Sequence, residues 1–176
     1  MTQTQQQTAP AGTRSRTFEW DDPARTAQSV GQLSGLEFLR AIGRGDLPKP
    51  PVTHMLGIGA ITAEEGRVVA ELQPAEYHYN PLGTVHGGVL ATLLDTATGC
   101  AVHSTLPAGY GYTSIDLSTK FLKPVTVASG LLRCVGTVLS RGRRTALAEA
   151  RLTDAAGRLV ATAQSSCLIF EVPPGQ

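Results

Sequence analysis

Charged side chains are scarce in this chain of 176 residues and nearly cancel: 16% of the residues, 15 Lys and Arg against 14 Asp and Glu. Nucleic-acid binders carry a marked basic excess, so no nucleic-acid partner is expected. Aromatic residues are scarcer, at 5%, and any core has to be built from Val, Leu, Ile and Ala. No apolar run approaches the ~18 residues of a membrane-crossing helix, so no membrane partner is expected either. Residues 1–13 (MTQTQQQTAPAGT) have neither a basic start nor an apolar stretch and predict no secretory leader. The three cysteines, Cys100, Cys134 and Cys167, are odd in number, far apart and set among apolar residues. That usage predicts reduced core thiols in a cytoplasmic protein, with neither a disulfide frame nor a metal set.

What the chain does have is aliphatic patterning sufficient for one ordinary domain. Residues 1–33 are expected to form a flexible N-terminal tail, because their first part is rich in Gln, Thr and Ala without apolar periodicity. Ser34-x-x-Glu37 fits a capping box, and Leu36, Leu39 and Ile42 are helically spaced, predicting a short helix ended by Gly43 and Gly45. Pro48-Lys49-Pro50-Pro51 reads as an extended hinge. The segment 34–47 is thus a helix running into the hinge, and the main domain occupies 48–176. There the apolar period becomes two. Strands are predicted at 67–73, 112–121, 130–140, 144–153 and 158–172. In 112–121, Thr113, Ile115, Leu117, Thr119 and Phe121 share one face, opposite Tyr112, Ser114 and Asp116. The later strands are joined by turns too short for a parallel crossover, so they pair antiparallel.

Residues 87–104 (GGVLATLLDTATGCAVHS) break that pattern and predict a helix. At ~100° per residue, Leu90, Leu93, Leu94, Ala97, Cys100 and Ala101 share one face. Gly88, Ala91, Thr92, Asp95, Thr98, Gly99 and Val102 share the other. A helix apolar on one side and small on the other is sandwiched between layers. The pattern predicts an α+β fold, a strongly curved antiparallel β-sheet wrapped around one long central α-helix, with a partner subunit over the helix's second face. Asp95 is the informative residue, since a carboxylate in a buried helix must be paired, hydrogen-bonded or neutralised. Before the helix, residues 80–88 (NPLGTVHGG) turn into its N-terminus, where free N–H groups and the dipole favour a negative oxygen. Gly88 and Asp95 lie on one face, roughly 10 Å apart. A polarising amide and a carboxylate along one groove suit acyl transfer. That gap is wide for one substrate carbon, so either the carboxylate comes from a neighbouring subunit or the segment bends.

The stretch NPLGTVHGGVLATLLDTATG resembles the signature of the hotdog-fold acyl-CoA thioesterases, in the PaaI-like branch of the 4-hydroxybenzoyl-CoA thioesterase superfamily. An Asn stands six residues before the His of His-Gly-Gly and an Asp nine residues after it. The similarity continues through TSIDLSTKFLKPV to Asp-x-x-Gly-Arg-Leu-Val-Ala and covers about residues 48–172. It implies a hotdog fold and hydrolysis of an aryl- or medium-chain acyl-CoA without metal or bound cofactor. It implies Asp95 as nucleophile or general base, and Gly87 N–H on the thioester carbonyl. Asn80 orients water or the leaving group, with His86 beside it. Ser114 supplies a strand hydroxyl, and Gly88 and Thr98 line the substrate groove. Asp95 then faces Asn80 and Gly87 across a subunit interface of a homodimer or dimer-of-dimers tetramer.

Arg143 and Arg144, at a predicted hairpin turn with Arg141 and Gly142, can be a solvated turn or a fork for coenzyme A phosphates. Leu82, Val85, Leu90 and Tyr79 are candidate acyl lining. His54, His78 and His103 lack metal-ligand spacing and read as structural. Neither a Gly-x-Ser-x-Gly elbow nor a phosphate loop is present. A hotdog hydratase would want a His–acid pair. A non-catalytic acyl-CoA sensor would dispense with Asp95.

Overall fold

A computed structural model describes residues 12–172. The chain opens with three helices, α1 (Pro23–Ala27), α2 (Gly35–Arg44) and α3 (Pro51–Leu56), followed by strands β1 (Ile58–Glu64) and β2 (Arg67–Leu72). A 17-residue helix, α4 (Gly87–His103), precedes β3 (Tyr110–Ser114), β4 (Ser118–Phe121), β5 (Leu132–Arg141), β6 (Thr145–Thr153) and β7 (Leu159–Glu171). All strand pairs are antiparallel, in the order β1-β2-β5-β6-β7-β3, with β4 also on β7. α4 packs along the concave side of this sheet, giving the expected hotdog arrangement.

The apolar face of α4 explains the seating. Leu93, Leu94 and Ala97 are wholly buried against Leu72, Leu132, Cys134 and Leu152. β5 approaches the helix backbone directly at Gly136, where a Cβ would overlap the carbonyl of Ala97. The second face of α4 is divided. Phe38, Leu39 and Ile42 of α2 cluster with Ala101 and Cys100 over its C-terminal half. The first half stays open, with Gly88 exposed and Ala91, Thr92 and Asp95 half-buried. The layer expected from a partner subunit is therefore supplied in part by the chain's own α2.

Several local expectations are corrected. Residues 1–11 lie outside the described residues and 13–22 carry no helix or strand, but α1 falls within the expected tail. Asp22 caps α1 by accepting from Ala24 N–H at 3.0 Å, with Pro23 in the first turn, and the buried Thr26 donates its hydroxyl to Pro48 O. The Pro-rich hinge ends in a helix, because Pro51 occupies the first helical position of α3, where its missing N–H costs nothing. β1 lacked a readable alternation because a register shift between Ile58 and Ile61 breaks its parity. The single strand expected over 112–121 is interrupted. The Asp116 carboxylate accepts from Ser166 N–H at 2.9 Å, and Ser165 donates its hydroxyl to Asp116 O at 2.8 Å. This bulge shifts the alternation by one residue. Tyr112 and Ser114 point inward before it, and Leu117 and Thr119 after it, leaving Thr113 and Ile115 outside.

At the end of α4, His103 lies between Phe38 and Tyr112, with ring centroids 5.2 and 5.4 Å away. Burial pushes its pKa down from 6.5 to about 4. Between those values the unfolded chain binds a proton that the folded chain does not. Stability should therefore fall as pH drops from 6.5 towards 4, by ~3 kcal/mol at most, and this contribution should level off below. Urea midpoints measured across this range should show the slope, and His103→Gln should flatten it. Gly136→Ala should cost roughly 1–3 kcal/mol, because the added methyl forces β5 away from α4. The expected sign is a lower urea midpoint at unchanged slope.

Candidate active site

The turn before α4 is built by Asn80. Its Oδ1 accepts from Leu82 N–H at 2.9 Å and Thr84 N–H at 3.3 Å, while its Nδ2 donates to Thr84 Oγ1 at 3.0 Å. Asn side chains favour such turns because they reproduce a backbone hydrogen bond. His86 is then the N-cap of α4, and its Nδ1 accepts from Gly88 N–H at 2.9 Å. The N–H of Gly88, expected to be free, is thus occupied. That of Gly87 has no partner among the described residues, as the first turn of a helix allows. The Phe121 ring lies over Gly87, so a Cβ there would sit 3.2 Å from it. Asn80, Thr84, Gly87 and Phe121 border a cleft of about 340 Å³.

Two turns further along α4, Asp95 Oδ1 accepts a hydrogen bond from Ser114 Oγ at 2.8 Å. β3 supplies this hydroxyl because Tyr112 and Ser114 fall on its inward face. Gly99 makes room for the Tyr112 ring, which a Cβ would meet at 2.7 Å. Asp95 and Ser114 open onto a separate cleft of about 590 Å³. Burial pushes the Cys100 thiol in this cleft up to about 12, with a Tyr112 hydrogen bond opposing the shift and the Asp95 charge adding to it. Tyr112 is likewise held well above 10, first by burial and then by the Cys100 and Asp95 charges. Both groups are neutral at ordinary pH.

Asp95 and Ser114 therefore come together, and so do Asn80 and Gly87, but the two pairs border different clefts of one protomer. Eight residues along the helix separate Gly87 from Asp95 by about 12 Å. Thr98 is not brought to either cleft: it is wholly buried, and its hydroxyl donates to the carbonyls of Leu94 and Asp95, both at 3.1 Å. Arg143 and Arg144 border a third groove together with Phe170, whose side also borders the Asp95 cleft. Of the expected acyl lining, Val85 and Leu90 border the Gly87 cleft, and Leu82 is 87% exposed. Tyr79 accepts from Val127 N–H through its hydroxyl.

The apolar wall of the Asp95 cleft comes from residues the sequence reading gave no place in a site, Leu39 and Ile42 of the expected short helix together with Phe38, Val30 and Val52. Their helical spacing was legible, but their partner in space was not. His78 uses both ring nitrogens structurally: Nδ1 accepts from Ala75 N–H, and Nε2 bonds Leu56 O at 2.8 Å. Among the described residues no group of three or more His, Cys, Asp or Glu side chains could hold a metal ion.

Residues 82–161 match the family model of the thioesterase superfamily. Acyl-coenzyme A thioesterase 13 of Homo sapiens is 31% identical over 105 residues, covering 59% of this chain and 74% of that protein. A Halobacterium salinarum protein is 31% identical over 161 residues, covering 87% of this chain and 96% of its own length. Among solved structures, a phenylacetic acid degradation-related protein from Ralstonia eutropha JMP134 superposes with a TM-score of 0.67 at 32% identity. That match covers 74% of this chain and 98% of the other.

Proposed function

Because the chain belongs to the thioesterase superfamily and is a thioester hydrolase, we propose that it hydrolyses an aryl- or medium-chain acyl-CoA in a site shared by two copies. In this site Asp95 and Ser114 of one protomer face Gly87 and Asn80 of the other. The observation that carries this reading is the Asp95–Ser114 hydrogen bond at the mouth of an apolar cleft. The separation of about 12 Å from Gly87 along α4 argues for the second copy. Open apolar surface supports it as well: Ile115 is 59% and Phe121 51% exposed, and the first half of α4 is uncovered. A homodimer, or a tetramer of paired dimers, meets this need.

In the proposed reaction Asp95 is the general base. The Ser114 hydroxyl donates into the carboxylate, which blunts it as a nucleophile, while its own lone pairs can hold a water. Asp95 takes a proton from that water as the oxygen attacks the thioester carbonyl carbon. The N–H of Gly87 stabilises the oxyanion. Collapse breaks the C–S bond, and the proton returns from Asp95 to the coenzyme A sulfur. Asn80, fixed by Thr84, keeps a second amide hydrogen for water or the leaving group. His86 acts on the backbone, holding the turn so that the Gly87 N–H points outward. Arg143 and Arg144 hold the phosphates of coenzyme A in fork geometry, and Phe170 connects their groove to the Asp95 cleft.

Thiol release from benzoyl-, phenylacetyl- and straight-chain acyl-CoA should fall by about 10²-fold or more in Asp95→Ala. An unchanged rate would remove Asp95 from the chemistry. A single turnover in ¹⁸O water should label the product acid; label appearing first in Asp95 would instead make it the nucleophile. Replacing both Arg143 and Arg144 by Ala should raise KM about tenfold or more with little change in kcat, as for lost ground-state binding.

A further inference from the structure

The Asp95 cleft is a corridor along α4. It is bordered on the helix by Asp95, Thr96, Cys100 and His103, a run whose ends are eight helical steps or about 12 Å apart. At its far end the Phe38 ring packs beside His103, with ring centroids 5.2 Å apart. The outer wall is formed by Val30, Ile42 and Val52, all from the first 53 residues. None of these lies in the region that matches the family model, residues 82–161. Among the described residues Asp95 is the single carboxylate on the lining, and no Lys or Arg side chain borders it. His103 is neutral at ordinary pH. A volume of about 590 Å³ is that of an ordinary small-molecule pocket, roughly 300–1,000 Å³.

Resting on the hydrolase reading above, we propose that the N-terminal segment is the specificity element of this enzyme. Phe38 and Val52 set the length of acyl group that the corridor accepts, and the corridor selects uncharged apolar acyl groups over dicarboxylic ones. The physical basis is twofold. A carboxylate on the substrate's far end would enter an apolar corridor that holds no cation to pair with it and already carries one negative charge at its mouth, a costly placement. An apolar chain instead gains burial with each methylene until it reaches the Phe38–His103 end.

The test compares kcat/KM over a series of straight-chain acyl-CoA substrates of increasing length and over dicarboxylic acyl-CoA substrates of matched length. It uses wild type, Val52→Trp and Phe38→Leu. Val52 is 40% exposed, so its replacement leaves the core packed. Wild type should favour the apolar substrate over its dicarboxylic counterpart by about tenfold or more. Val52→Trp should lower the ratio of long-chain to short-chain kcat/KM by about tenfold. Phe38→Leu should move the optimum to longer chains. Profiles parallel to wild type in Val52→Trp, with cooperative unfolding retained, would overturn the assignment, as would equal use of dicarboxylic substrates. A wild type that releases no thiol from any member of the series would overturn the hydrolase reading and this inference together. An active wild type with unmoved profiles would overturn the inference alone.

Discussion

The close seating of α4 against the sheet is the constraint on which the rest of the molecule depends. Gly136 lets the β5 backbone lie against the carbonyl of Ala97. Leu93, Leu94 and Ala97 then bury completely among strand residues from β2, β5 and β6. Once that face is fixed, the helix can rotate no further, and Asp95 must emerge off the packed face, towards the sheet's β3 edge. The same rotation brings it under β3, where Ser114 meets it. A carboxylate that would be expensive in the core is thereby held at a half-buried surface with one good hydrogen bond.

The entrance to the helix is organised by a different economy. Asn80 spends its oxygen on two backbone amides and His86 spends a ring nitrogen on a third. Each of these bonds rigidifies the turn, and each removes a group that could otherwise meet a ligand. Among the described residues the amide left over is that of Gly87, at the positive end of the dipole and beside the Phe121 ring. A site built on these residues uses what the capping interactions leave free.

Extending the expected tail to residue 33 misleads: Asp22-Pro23 is a helix start, and Val30 reaches the cluster around Phe38. α2 is strongly amphipathic, and its apolar side needed a surface to cover. That surface is β1 together with the second half of α4, which the sequence had reserved for a partner subunit. The β3–β4 bulge misleads in the opposite way. Residues 112–121 alternate without a flaw in the sequence, but the Asp116 carboxylate competes for the Ser166 amide and moves the pattern by one.

The sequence by itself determined the long helix, the antiparallel character of the later strands, the Ser34 cap, and the presence of Asp95, Ser114, Asn80 and Gly87 in the segments of the proposed site. These are local matters of period, turn length and capping chemistry, all written within a few residues. Tertiary structure alone decided that Asp95 pairs with Ser114, that Thr98 turns into the core, that Cys100 borders a cleft, and that Phe38 and Val52 wall it. Those outcomes depend on the rotation of α4 and on residues as far from Asp95 in the chain as 19 positions (Ser114) and 57 positions (Phe38). A periodic pattern states which face is apolar; it does not state which other face will cover it.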